Sequence, residues 1–300
     1  MILLLLLFLL TPANSSPPTT KHQNLQLTDI THTIKTTSRY NGKRLETILL
    51  TWFPLVANHT WVITDAPSIP IDVKTNGRLI STPCLNKHWA RPLTCKMNVE
   101  YDTYMTRGDT AWWCHWDDDN YVNMDALLTL LRKYDSTKPW YIGRPSHKIN
   151  IKYKGENTTL VFAHGGCGFC LSRALAHKMA PYARNGKMTA LLDELVPSVN
   201  DDCVVGFIVG KILKVALTVT VLMHSHNRMH ATKMKSLTSA QLNHQVSLSY
   251  SFPMDVCLDL SDIERTFSKK DDPTRFYSVH CFLYPEKASL LCKDVWRQLH

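Results

Sequence analysis

The chain has 300 residues, 44% of them apolar and 20% charged, with a formal net charge of +9. That apolar share can bury a full core and fits one large domain or two small ones. The Lys and Arg residues are scattered, with no basic run and no zinc-finger spacing, which excludes a nucleic-acid-binding protein and leaves a basic surface suited to anionic substrates or membrane faces.

In chain order, Met1 is followed by an uninterrupted apolar run, Ile2 to Leu10, and then by small residues and proline. The run falls short of the ~20 residues of a bilayer span but matches the apolar part of a signal peptide. Residues 1–20 are therefore expected to be a signal peptide or short signal-anchor with the start of a stem. Residues 11–28, rich in Pro, Ser, Thr and Gln, read as unstructured. The flexible stem is assigned to 21–33 and the main domain to 34–300, with ordered sequence starting near "DITHTIK". Asn-x-Ser/Thr sequons at Asn14, Asn58 and Asn157 agree with a secretory route. So do the nine cysteines: Cys84 with Cys95 and Cys281 with Cys292 share one spacing and read as short disulfide loops, and the odd count leaves a thiol over.

Further along, "WVITDAP" reads as a strand ending in a turn. In "AWWCHWDDDNYVN", Trp112 to Trp116 read as a buried strand, with Asp117, Asp118 and Asp119 just past its carboxyl end. "NMDALLTLLRKY" predicts a helix capped by Asn123, with Leu127, Leu130, Leu131 and Tyr134 on one face. "HGGCGFC" reads as a glycine-rich turn before a helix, and "GFCLSRALAHKMAP" as that helix, stopped by Pro181. The long apolar segment Val204 to Met223 contains Lys211 and Lys214, each costing roughly 2.5–3.5 kcal/mol inside a membrane, so it reads as a buried helix followed by a core strand. Strands and helices alternate, which predicts an α/β fold with a mainly parallel sheet flanked by helices.

Three adjacent carboxylates in a basic chain need a counter-charge. Past the carboxyl end of a parallel strand, where such sheets bind ligands, they suit a hard divalent cation. His224 and His226 in "MHSHNR" offer imidazole, which leans the choice toward Mn²⁺. A surface acidic turn with an unrelated histidine pair is the bland alternative. Asp201 and Asp202 precede a helix and read locally as capping residues, or else as a general base at a sheet edge. The Cys167–Cys170 pair reads as a redox or zinc half-site or, since no second such pair is present, more readily as cysteines committed to distant disulfide partners.

These motifs, "KTTSRYNGKRLETILLTW", "CKMNVEYDTYM", "WWCHWDDDNYVN", "YIGRPS", "GGCGFCLSRALAHKMAP", "NDDC", "HSH", "HQVSLSY" and "DDPTRFYSVHCFLYP", occur in the order found in the Fringe family, which the chain resembles over about residues 34 to 292. The resemblance implies a Golgi glycosyltransferase of the GT-A fold, an O-fucosylpeptide 3-β-N-acetylglucosaminyltransferase. Such an enzyme uses UDP-N-acetylglucosamine and Mn²⁺ and extends O-linked fucose on EGF-like repeats of Notch-type receptors, with inversion. It further implies that Asp119 and His226 bind Mn²⁺, that Asp118 and Arg44 contact the sugar nucleotide, and that Asp202 is the catalytic base. The family's disulfides fall on Cys84–Cys95, Cys114–Cys170 and Cys281–Cys292, and Cys167 and Cys257 have no counterpart. The chain departs from the family at His164 and Cys167, where Thr and Ala are usual, at Val199-Asn200 before the Asp pair, and after the second histidine. The competing expectations are an inverting transferase with another donor, such as galactose or glucose, or another acceptor; a secreted binding module without turnover; and a metal-dependent hydrolase.

Overall fold

A computed structural model describes residues 24–108, 110–225, 238–251, 255–256, 260, 263–286 and 292. The strands are β1 (Ile30–Lys35), β2 (Thr60–Thr64), β3 (Leu79–Ser81), β4 (Trp112–Asp117), β5 (Tyr121–Val122), β6 (Tyr141–Gly143), β7 (Ile149–Tyr153), β8 (Glu156–Leu160), β9 (Phe169–Ser172), β10 (Leu195–Val196), β11 (Leu217–Val219) and β12 (Ser247–Leu248). The helices are α1 (Glu46–Leu49), α2 (Phe53–Val56), α3 (Ile69–Lys74), α4 (Ala90–Thr103), α5 (Met124–Leu131), α6 (Arg173–Ala183), α7 (Lys187–Leu192) and α8 (Asp201–Phe207), with a further helix at Phe276–Leu283. A seven-stranded sheet in the order β11-β6-β9-β4-β1-β2-β3 forms the centre. Its pairs are parallel except where β9 runs against β4 and β6.

Both faces of this sheet are covered. Successive residues of a strand point to opposite faces. Along β4, Trp112, Cys114 and Trp116 enter one core, packed by α1, α2 and α5, while Trp113 enters the other, packed by α4, α6 and α8. A strand buried on both sides reads as a near-continuous apolar run, which is why "WWCHW" was legible. Cys114 and Cys170 are directly opposed across β4 and β9, and a disulfide joins them there. The Asn123 side chain accepts from the Ala126 amide at 3.2 Å, capping α5 as expected, and Leu127, Leu130 and Leu131 are buried.

Four expectations are corrected. The stem boundary at residue 33 falls inside β1, whose six residues are all buried. "ITHTIK" hides this because its His and Thr side chains are polar yet packed between two covered faces. The glycine-rich turn leads into β9 rather than a helix, and α6 begins only at Arg173. Pro181 lies inside α6, near its carboxyl end, where it forgoes one i→i−4 bond while buried Met179 and Ala183 hold the last turn by packing. β11 is the edge strand of the sheet and not a core strand, with Val219 exposed. No helix among the described residues is long and apolar enough to cross a membrane.

The turn before β9 depends on one glycine. Gly168 has φ +75°, and a Cβ there would lie 2.2 Å from the Trp116 ring and 2.9 Å from the His115 carbonyl oxygen. We predict that Gly168→Ala costs at least about 3 kcal/mol, lowering the melting midpoint by ~6–12 °C. An unchanged midpoint on thermal unfolding would contradict this packing.

Candidate active site

The carboxyl ends of β1 and β4 lie side by side, with Lys35 and Asp117 as the last register pair. They open into a cleft of about 650 Å³ lined by Lys35, Arg44, the three aspartates Asp117 to Asp119, the His164–Gly166 turn, Asp201, Asp202 and Tyr250. The sequence supplies this cleft in pieces: strand ends bring Lys35 and the aspartates, the turn before β9 brings the backbone of Gly165, and the first turn of α8 brings Asp201 and Asp202.

Lys35 ties the pieces together. Its Nζ donates to Asp201 Oδ2 at 2.5 Å and lies 3.1 Å from Asp117 Oδ1, and all but Asp117 are buried. Behind Asp117 the polar chain runs inward. His115 Nε2 is 3.6 Å from Asp117, its Nδ1 is 2.7 Å from Glu100, and Glu100 accepts from Thr33 at 2.6 Å. Burial pulls the Lys35 ammonium down, but Asp117, Asp201 and Glu100 outweigh it and hold its pKa well above the ordinary value.

A second cluster surrounds Arg44. Its Nη1 is 3.1 Å from Asp118 and 3.7 Å from Asp119, and its guanidinium carbon lies 4.1 Å from the centre of the Tyr40 ring and 5.7 Å from that of Tyr250. Thr36 Oγ1 donates to the other oxygen of Asp118 at 2.8 Å. Burial pushes the Asp118 carboxyl up, against Arg44 and Thr36. Asp119 is pushed up to about 8, by burial first and then by Asp117 and Asp118. A buried carboxyl carrying that excess of negative neighbours is the donor chemistry that a hard divalent cation relieves, so Asp119 fits a metal ligand.

Asp202 stands apart from this cluster. Gly165 N–H donates to its Oδ2 at 2.9 Å and Cys203 N–H to its Oδ1 at 2.8 Å, which fixes the carboxyl plane. Burial and then Asp201 raise it to about 6, while the Gly165 amide and Lys35 pull the other way. Its acidity therefore suits proton exchange near neutral pH.

The structure brings Arg44, Asp118, Asp119 and Asp202 to one cleft. His226 lies outside the described residues, and no three His, Cys, Asp or Glu side chains among the described residues converge as a metal cage. His224 is committed elsewhere: Arg144 donates to its Nδ1 at 2.9 Å, and its Nε2 lies 2.7 Å from Gln245 Oε1. Both ring nitrogens are thus in use, which makes it a packing histidine. Disulfides join Cys84 to Cys95, Cys114 to Cys170 and Cys281 to Cys292, leaving Cys167 and Cys203 as buried thiols, with Cys257 outside the described residues. Asn58 and Asn157 are exposed, and Asn14 is not among the described residues. Sequence reasoning missed Lys35, Thr36, Tyr40 and Tyr250. Lys35 alone carried a signal, a single cation closing a strand that ends beside an acidic run.

A mainly parallel sheet that delivers an acidic run and a separate carboxylate to one cleft at its strand ends places the ligand site where open α/β enzymes bind their substrates. The chain belongs to the Fringe family. The family model described as Fringe-like matches residues 25–287. The chain is 40% identical over 281 residues to the Fringe glycosyltransferase of Drosophila melanogaster, covering 91% of this chain and 65% of that protein. It is 38% identical over 286 residues to the human β-1,3-N-acetylglucosaminyltransferase manic fringe, covering 92% and 84%. For the radical fringe enzyme of Gallus gallus the identity is 37% over 272 residues, covering 88% and 71%.

We predict that Lys35→Met strands Asp117 and Asp201 and costs about 3–5 kcal/mol, the range for breaking a buried pair. Thermal unfolding of Lys35→Met, Asp201→Asn and the double variant checks this, and a strictly additive pair of effects would contradict the coupling.

Proposed function

We propose that this protein transfers N-acetylglucosamine from UDP-N-acetylglucosamine, in β1,3 linkage, to O-linked fucose on EGF-like repeats of Notch-type receptors. The observation that carries this reading is the division of acids in the cleft. Asp118 and Asp119 lie with Arg44, while Asp202 is held separately by the backbone of the turn before β9. Names carried by relatives, β-1,3-N-acetylglucosaminyltransferase among them, agree with it.

Asp119 and His226 would hold Mn²⁺, which when bound neutralises charge on the departing diphosphate. Asp118 and Arg44 orient the sugar nucleotide, with the Arg44 guanidinium stacked on Tyr40 and available to an anionic group. Asp202 accepts the proton of the fucose hydroxyl as its oxygen bonds to the sugar's anomeric carbon and the bond to UDP breaks. One displacement on the face opposite the leaving group inverts that carbon and needs only this one base. Disulfides and exposed sequons support a place in the Golgi lumen.

A second reading, transfer of galactose or glucose, is favoured by one observation. His164, where the family usually has Thr, lines the cleft. The test is transfer to an O-fucosylated EGF-like repeat from UDP-GlcNAc, UDP-Gal and UDP-Glc, with and without Mn²⁺. Transfer from UDP-GlcNAc alone, lost on chelation and absent without fucose, is the expected result; transfer only from another donor overturns the donor assignment.

A raised Asp202 also sets the pH dependence. The base works when deprotonated, so turnover should fall as pH drops through about 6. Asp202→Asn should lower kcat by roughly 10²–10⁴-fold, the range for a general base, and remove that acid limb. Undiminished turnover in this variant would take Asp202 out of the mechanism.

A further inference from the structure

One feature of the cleft's mouth serves neither the fold nor the transfer chemistry. The loop from Cys84 to Cys95 is closed by a disulfide, and its Asn86, Lys87 and His88 line the cleft. On either side of them, Leu85 and Trp89 are each 64% exposed. Single exposed apolar side chains are ordinary. These two flank cleft-lining residues on a segment closed by a disulfide. Thr37 Oγ1 donates to Asn86 Oδ1 at 2.7 Å, Asn86 Nδ2 donates to Ser38 Oγ at 3.2 Å, and Thr82 Oγ1 donates to the Thr64 carbonyl at 2.9 Å. The loop is thus fastened to the segment following β1, and the residues leading into it to the end of β2, so it is stiff before any partner arrives.

We infer that this loop is the docking platform for the polypeptide that carries the acceptor sugar, an acidic folded domain that seats an apolar spot on Leu85 and Trp89. The inference rests on the transfer reading above. A rigid, amphipathic Trp is the residue type that anchors protein interfaces, because little conformational entropy remains to be lost there. The charge sign follows from the rim: Lys87 lies 5.8 Å from the Trp89 ring centre, Arg39 and His88 also line the opening, and the whole chain carries +9. Such a surface attracts an acidic domain and fixes its approach. Neither apolar side chain lines the cleft itself, so the loop's apolar contact is available to a protein-borne acceptor and not to a free sugar seated in the cleft.

The test compares the full wild-type chain with Leu85→Ala/Trp89→Ala on two acceptors, an acidic O-fucosylated EGF-like repeat and a free fucoside. The expected result is a KM for the repeat raised about tenfold or more at unchanged kcat, the loss of an interface anchor, with fucoside kinetics unchanged. Trp89→Phe should retain most of the affinity, and melting midpoints should match wild type. Equal loss on both acceptors, or loss on neither, overturns the proposal. Binding of the same repeat without fucose to the immobilised chain, read by surface plasmon resonance, keeps the two ideas separate. If the wild type transfers nothing to either acceptor, the transfer reading fails, while weaker binding by the double variant still supports the platform and equal binding overturns it. A variant that loses binding only to phosphatidylserine vesicles overturns it in favour of a membrane contact.

Discussion

The site is organised around one buried cation. Lys35 ends β1 where Asp117 ends β4, and it reaches across to Asp201 at the start of α8. Three elements far apart in sequence are locked by two ion pairs, in which Lys35 and Asp201 are buried and Asp117 alone is open to solvent. In so shielded a place a carboxylate left alone carries a heavy desolvation cost, so the ammonium holds the geometry as well as the charge balance. Because Lys35 faces Asp201, the neighbouring Asp202 is spared part of the repulsion that would otherwise raise it further.

From that constraint the two functions of the cleft separate. On one side Asp118 and Asp119 share Arg44 and are too acidic a group for one guanidinium, as the raised Asp119 shows. On the other side Asp202 has both oxygens tied to backbone amides, needing no cation at contact distance. A pair of acids whose surroundings push them to different acidities is the usual signature of divided labour. On the proposed reading the division is between holding a charged donor and moving a proton.

Much of this was legible in the sequence for physical reasons. "WWCHW" followed by three aspartates announces a doubly buried strand and a polar edge, and Asn123 before an i, i+3, i+4 leucine pattern announces a capped helix. What escaped was long-range or concealed. The Lys35–Asp201 contact spans 166 positions, and no local pattern encodes it. "ITHTIK" carries polar residues, Thr31, His32, Thr33 and Lys35, that are buried in the fold, so the start of the domain was set inside β1. Pro181 near a helix end looks like a stop signal, yet packing carries the helix two residues further. The two histidines of "HSH" look equivalent, and only the Arg144 and Gln245 contacts show that His224 is occupied.

The central claim is that the two acid sites act separately, and titration calorimetry of UDP in the presence and absence of Mn²⁺ tests it most directly. The account predicts that Asp119→Ala loses the Mn²⁺-dependent part of UDP binding while Asp202→Asn keeps it in full. An unchanged Mn²⁺ dependence in Asp119→Ala, or its loss in Asp202→Asn, would contradict that division.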